Sequence, residues 1–263
     1  MEVKFSFGIE DLERVVRSAL GVFLDSESLR VEMKGRSDFV TQIDKNVQTY
    51  IMNELYKLDP DIAFMGEEEG ADVYYADRPI WILDPVDGTT NLVRNLKKSA
   101  ISLALCLGDE TLMGIVYDPY LDELFSAEKG KGAYLNGVKI SASDVDSVSK
   151  CVVGVGTAPY YRDLTDETFD LIKGIYKSAL DVRRMGAASI DLAYVACGRF
   201  GAFAELLLSP WDFAAGKLLI KEAGGIITDL DGDELSQGEK TPVIAAGANI
   251  YKEFYSVVKN SLK

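Results

Sequence analysis

The sequence has no histidine among its 263 residues. That absence removes an imidazole general base, a phosphohistidine intermediate and the usual imidazole zinc sites. Hydrolytic chemistry in such a chain has to run on carboxylates, hydroxyls, backbone amides and an oxygen-preferring metal. Cysteine is scarce. Cys106, Cys151 and Cys197 are scattered, with no C-x-x-C pair, which is the usage of small buried thiols in a reducing, cytoplasmic compartment. Positive charge is in deficit, with 28 Lys and Arg against 42 Asp and Glu and a formal charge of −14. That balance speaks against sequence-independent binding to nucleic acid or to an anionic membrane, and it leaves acidity for bound cations to neutralise. The longest apolar run, residues 100–107, is far too short to span a bilayer. The opening Met1-Glu2-Val3-Lys4-Phe5 lacks a basic n-region and a long apolar h-region, so no signal peptide is expected. Internal repeats and low-complexity segments are also missing.

What is present is a globular composition, 48% apolar and 27% charged. The length suits one large domain or two lobes. The pattern of elements changes near residue 140, which predicts an N-terminal α+β lobe over 1–140 and a C-terminal α/β lobe over 141–263. Ile9, Leu12, Val16, Leu20 and Phe23 fall at helical spacing. Lys34-Gly35-Arg36-Ser37-Asp38 reads as an exposed loop. A helix is expected from Thr41, burying Ile43, Val47, Ile51 and Leu55, with Thr41 and Asp44 spaced as N-cap and capping-box partner. Residues 100–107, 112–117, 123–127 and 132–135 predict an antiparallel meander closed by the Asn136-Gly137 turn. Beyond residue 140, strands at 151–156, 202–208, 226–228 and 243–246 alternate with helices at 167–180, 187–197, 211–222 and 250–258. Pro210 occupies the N1 position of the third of these helices, and Gly224-Gly225 closes it.

The chain is organised around Ile80-Trp81-Ile82-Leu83-Asp84-Pro85-Val86-Asp87-Gly88-Thr89-Thr90-Asn91. An apolar strand ends in two carboxylates three positions apart, and Pro85, lacking an N–H, is expected to stop the ladder. Gly88 to Asn91 then reads as a tight turn into a short helix whose free amides can hold an anion. Two hard oxygen ligands beside an anion hole meet the needs of a metal-dependent phosphate site. A strand end with Asx-turn residues accounts for the same spacing. Similarly, Gly66-Glu67-Glu68-Glu69-Gly70 reads equally as a solvated acidic loop, and Asp44 as a helix cap.

Four segments in this order, Asp38-Phe39-Val40-Thr41-Gln42-Ile43-Asp44, Gly66-Glu67-Glu68, Asp84 to Asn91 and Trp211-Asp212-Phe213-Ala214-Ala215-Gly216, resemble the inositol monophosphatase superfamily of magnesium-dependent, lithium-sensitive phosphatases. The resemblance runs from about residue 30 to 230 and implies a mixed α/β, layered αβαβα sandwich and a homodimer. It implies two or three Mg²⁺ ions per site. Glu67, Asp84 and the Val86 carbonyl match ligands of the first ion, Asp84 bridges to a second held by Asp87 and Asp212, and Glu67 shares in a weaker third site. It also implies that Thr89 and Asp44 orient the attacking water, with Glu67 beside them, and that Gly88 and Thr89 bind phosphate through backbone amides. Asp87, Gly186, Ala187, Ala188 and Glu205 fall where the superfamily contacts the polyol. Glu205 reads otherwise as a strand-end surface carboxylate. Arg162, Arg183 and Arg184 are candidates for a distal phosphate, or else solvated surface charges, with Arg183 preferred. Lys34 and Arg36 sit on the loop that closes over the metals in these relatives, or form a basic turn.

The resulting expectation is a Mg²⁺-dependent phosphatase for inositol 1-phosphate and fructose 1,6-bisphosphate, using metal-activated water. Its partners would be small sugar or inositol phosphates, with no nucleic acid and no membrane. The alternatives are a 3′(2′),5′-bisphosphate nucleotidase, with Tyr160-Tyr161 as the base platform, and a relative that acts mainly as a regulatory binding protein. The chemistry demands these residue types: phosphate-monoester hydrolysis calls for accelerations of up to ~10²¹, delivered mainly by positioning and charge stabilisation.

Overall fold

The computed structural model describes residues 4–25, 31–33, 39–68 and 74–263. In chain order the elements are α1 (Ile9–Ser18), α2 (Leu20–Phe23), β1 (Val31–Met33), β2 (Phe39–Thr41), α3 (Gln42–Leu58), β3 (Ala63–Gly66), β4 (Pro79–Asp87), α4 (Thr89–Val93), β5 (Ala100–Leu107), β6 (Glu110–Asp118), β7 (Glu123–Glu128), β8 (Gly132–Leu135) and β9 (Val138–Lys139). There follow β10 (Val152–Val155), α5 (Thr165–Ser178), β11 (Asp181–Arg183), α6 (Ala188–Ala196), β12 (Ala202–Leu208), α7 (Pro210–Glu222), β13 (Gly225–Thr228), β14 (Thr241–Gly247) and α8 (Tyr251–Ser261).

Seven strands, β3 to β9 in sequence order, form the first large sheet, in which only β3 and β4 run parallel. The second has the order β11-β10-β12-β14-β13, mixing parallel and antiparallel pairs. Strand periodicity explains the layering, because alternate residues face opposite sides. Trp81 and Leu83 of β4 pack with α1 and α3 through Leu12, Val16, Ile43, Val47 and Ile51. Ile80 and Ile82 face the other way, onto a central layer of α6 and α7. That layer also covers one face of the second sheet, through Phe203, Val243 and Ala245. The far face of that sheet, with Val153, Ala204 and Ile244, is covered by α5 and α8 through Leu171, Ile175, Phe254 and Val258. The order is helix, sheet, helix, sheet, helix: the layered αβαβα sandwich.

The central strand departs from expectation. Pro85 does not end β4; the strand runs on to Asp87, with a register shift against β5 between Asp84 and Asp87. A proline is tolerated there because the bulge leaves the ladder without a required N–H. The small antiparallel pair of β1 and β2 was not expected either. Lys34, Gly35, Arg36, Ser37 and Asp38, together with Glu69 and Gly70, lie outside the described residues. Among the described residues, no helix is long and apolar enough to cross a membrane.

Candidate active site and metal centre

A cavity of about 530 Å³ opens between the sheets at the end of β4, against the loop before α6 and the N-terminus of α7. Each of these elements delivers a carboxylate for a local reason. Asp84 precedes the bulge and receives the Val86 N–H on Oδ1 at 3.0 Å, an Asx turn that rotates the chain toward Asp87. Gly88 then sits at φ 86°, and a Cβ there would lie 3.0 Å from the Lys98 carbonyl and 3.1 Å from that of Gly186. Only glycine meets both constraints. Asp212 stands at the third position of α7, where its Oδ2 accepts the Ser209 N–H at 2.7 Å. Glu67 follows β3, its N–H bonded to the Leu83 carbonyl at 3.2 Å, and its side chain lines the cavity.

Asp84, Asp87 and Asp212 each place a carboxylate oxygen within 4.8 Å of the others. Burial pushes the Asp84 and Asp212 carboxyls well above the usual carboxylate range, and repulsion from neighbouring acids pushes them further: Glu67, Asp87 and Asp212 for the first, Asp87 and Glu67 for the second. Asp87 is raised by burial too, but hydrogen bonds from Ser189 pull it back. Carboxylates ~4 Å apart repel by roughly 4 kcal/mol at an effective dielectric of ~20, so the cluster is costly as it stands. A hard, oxygen-preferring divalent cation such as Mg²⁺ fits this donor set.

Behind the cluster is a buried hydroxyl–carboxylate pair. Thr89 Oγ1 lies 3.0 Å from Asp44 Oδ1 and 3.1 Å from the Val86 carbonyl. The other oxygen of Asp44 accepts the Thr41 N–H at 2.9 Å and also the Thr41 hydroxyl. Asp44 is thus a capping-box residue and a partner of Thr89 at once, the two readings being compatible because its two oxygens are used separately. Burial raises its pKa against the pull of these bonds.

The opposite wall holds most of the remaining residues named from the sequence. Gly186, Ala187, Ala188 and Glu205 all line the cavity. Glu205 is not a surface carboxylate; it is 7% exposed, accepts the Ala158 N–H at 2.7 Å, and is pushed up to about 7 by burial. Arg183 is the correction. Asp181 and Arg183 lie two apart on β11, so they share a face, and the guanidinium pairs with Asp181 at 2.5 Å and with the Val182 carbonyl at 2.8 Å, away from the cavity. Arg184, just past the strand, lines the cavity instead and donates from Nε to Thr157 Oγ1 at 2.9 Å. Arg162, Tyr160, Tyr161 and Lys240 complete this basic and aromatic rim, with Lys240 Nζ 2.5 Å from the Tyr161 hydroxyl.

Several site residues were not singled out from sequence. Gln48 holds both backbone polar groups of Glu68, accepting its N–H at 3.2 Å and donating to its carbonyl at 3.4 Å, next to Glu67. Ser189 donates to Asp87 from both its N–H and its hydroxyl. Asp191 lines the cavity at 2% exposure, with Oδ1 lacking a hydrogen-bond partner among the described residues. A polar residue in an otherwise apolar helix was the available signal for Ser189 and Asp191; nothing in the sequence marked Lys240.

The model of the inositol monophosphatase family matches residues 9–263. The inositol-1-monophosphatase of Mesorhizobium japonicum is 36% identical over 248 residues, covering 94% of this chain and 92% of that protein. Nus factor SuhB of Escherichia coli K12 is 37% identical over 207 residues, covering 78% and 77% of the two chains. Among solved structures, a Thermotoga maritima IMPase superposes with a TM-score of 0.86 at 33% identity, covering 96% of this chain and 97% of that one.

Proposed function

This chain belongs to the inositol monophosphatase family, and from that premise we propose that it is a Mg²⁺-dependent phosphatase of polyol phosphates, acting on inositol 1-phosphate and on fructose 1,6-bisphosphate. The observation that carries this reading is the convergence of Asp84, Asp87 and Asp212, within 4.8 Å of one another, with Glu67 beside them. Glu67, Asp84, Asp87, Asp212 and the Val86 carbonyl would hold the ions. Bound there, Mg²⁺ supplies a Lewis acid that lowers the pKa of water and neutralises charge on the leaving oxygen.

The chain's own groups do the positioning. Gly88 and Thr89 present backbone N–H groups to the scissile phosphate at the turn after β4. Thr89 donates its hydroxyl proton to Asp44 Oδ1, which leaves the Thr89 oxygen free to accept from an attacking water. Asp44, held from behind by Thr41, is then the terminus for the water's proton. Its burial raises its affinity for that proton, the direction that favours a general base. Glu205 and the Gly186-Ala187-Ala188 turn face the polyol.

The basic rim favours a second phosphate on the substrate. Arg184 takes the place expected of Arg183, with Arg162 and Lys240 nearby on the same wall. The same rim, with Tyr160 and Tyr161, also supports a nucleotide bisphosphate as the competing substrate class. The name Nus factor SuhB, carried by relatives, opens a regulatory role as well; a formal charge of −14 supports reading any such contact as one with protein rather than nucleic acid. A homodimer belongs to the same proposal. The test is phosphate release from inositol 1-phosphate, fructose 1,6-bisphosphate and adenosine 3′,5′-bisphosphate, with and without Mg²⁺. Release confined to the adenosine compound would replace the polyol reading.

A further inference from the structure

We propose that Ser189 is a positioning residue for the metal centre, holding one oxygen of Asp87 so that the other is left for the ion. The proposal rests on Asp87 being a metal ligand, as argued above. Ser189 is the second residue of α6 and is fully buried. Its backbone N–H lies 2.7 Å and its hydroxyl 2.5 Å from the same atom, Asp87 Oδ2. Two donors on one oxygen fix the rotation of the carboxylate about its Cβ–Cγ bond. Oδ1, which takes neither Ser189 donor, is then the oxygen left for an ion shared with Asp84 and Asp212, whose carboxylates converge with that of Asp87.

Other serines in the helices behave differently. Ser18, Ser178, Ser256 and Ser261 turn their hydroxyls back onto carbonyls three or four residues earlier in the chain. For Ser189 the carbonyl four residues back belongs to Met185 and already accepts the Asn91 amide at 2.8 Å. The Ser189 hydroxyl instead reaches across 102 positions of sequence to the end of β4. The bond therefore joins the first sheet to the central helical layer. It also sits one residue past Gly186-Ala187-Ala188, so the metal centre and the polyol-facing turn are tied through a single carboxylate.

Outer hydrogen bonds of this kind orient metal ligands, and their loss typically weakens metal affinity by ~10–100-fold. Ser189→Ala removes the hydroxyl while keeping the N–H and helix propensity. Metal-stripped parent and variant are titrated with MgCl₂ and followed by thermal unfolding, with isothermal calorimetry as a second readout. The expected result is a Mg²⁺ midpoint raised about tenfold or more, a metal-free Tm close to the parent's, and phosphate release that recovers at high Mg²⁺. Ser189→Cys, of similar shape but with a weak S–H donor, should fall between the two. Parent-like Mg²⁺ midpoints in both variants overturn the proposal, as does a fall in metal-free Tm with no change in midpoint. A parent protein that Mg²⁺ does not stabilise would remove the metal reading itself and this inference with it, a different result from parent-like variants.

Discussion

Asp44 holds two jobs on two oxygens, and substitutions can separate them. Oδ2 receives Thr41, which caps α3; Oδ1 receives Thr89, which faces the cavity. Asp44→Asn keeps a carbonyl oxygen that can continue to accept the Thr41 N–H, but it removes the charge and the site where a proton is collected. General-base assistance contributes about 10²–10⁴ in rate, so kcat should fall at least ~100-fold. Thr41→Ala does the reverse. It deletes the N-cap hydroxyl that accepts from Ile43 N at 3.1 Å, at a cost of about 1 kcal/mol, or about 2–4 °C in Tm for a chain near this size. It leaves the Thr89–Asp44 bond in place, so its kcat should stay within a few-fold of the parent. The assay is phosphate release at saturating Mg²⁺ beside thermal unfolding of the same samples. Asp44→Asn that loses Tm but retains kcat would refute the catalytic role and leave only the cap. Thr41→Ala that loses as much kcat as Asp44→Asn would show that the box cannot be divided.

Further expectations follow from the cavity wall and its charges. Arg184→Ala should lower kcat/KM for fructose 1,6-bisphosphate by roughly ten- to a hundred-fold, from a charge-assisted bond worth about 1.5–3 kcal/mol; Arg183→Ala should change little, and equal losses on inositol 1-phosphate would remove the distal-phosphate role. Glu205 is raised from 4.5 to about 7 in the folded protein, so the folded state binds its proton more tightly than the unfolded chain. Its stabilising contribution is therefore complete below about pH 4.5 and lost as pH rises through about 7, and Tm of metal-free protein should fall over that interval, less so in Glu205→Gln. Gly88→Ala should destabilise by about 1–3 kcal/mol, since φ is 86° and two carbonyls close the space; denaturant unfolding reads the loss, and an unchanged midpoint would contradict it.

The parts of the molecule legible in the sequence are those where one local rule decides. Thr41 and Asp44 announce a capping box, and Pro210 announces the start of α7, because end effects of helices depend on a few adjacent residues. The meander from Ala100 to Leu135 is legible because four short β-rich runs, the first three buried over most of their length, are set apart by short turns. Pro85 misled because a bulge, a property of two strands together, decides whether proline can stay in a ladder. Arg183 misled for a similar reason: β11 is three residues long, and which of two adjacent arginines turns inward depends on where the strand releases the chain. Ser189, Gln48 and Asp191 could not be placed because their partners are distant in sequence or, for Asp191 Oδ1, do not occur among the described residues. Four ordered motifs, from Asp38 to Gly216, point to one centre through the family they resemble, since spacing alone leaves each with a helix-cap, loop or turn reading.

The central claim is that the converging carboxylates hold Mg²⁺ for phosphoryl hydrolysis. Its most direct measurement is phosphate release from inositol 1-phosphate by chelator-stripped protein before and after MgCl₂ is restored. The account predicts no turnover without metal and recovery with Mg²⁺ in the parent, and no recovery at the same Mg²⁺ concentration in Asp212→Asn that remains folded. Full turnover by stripped protein, or full recovery in Asp212→Asn, would contradict it.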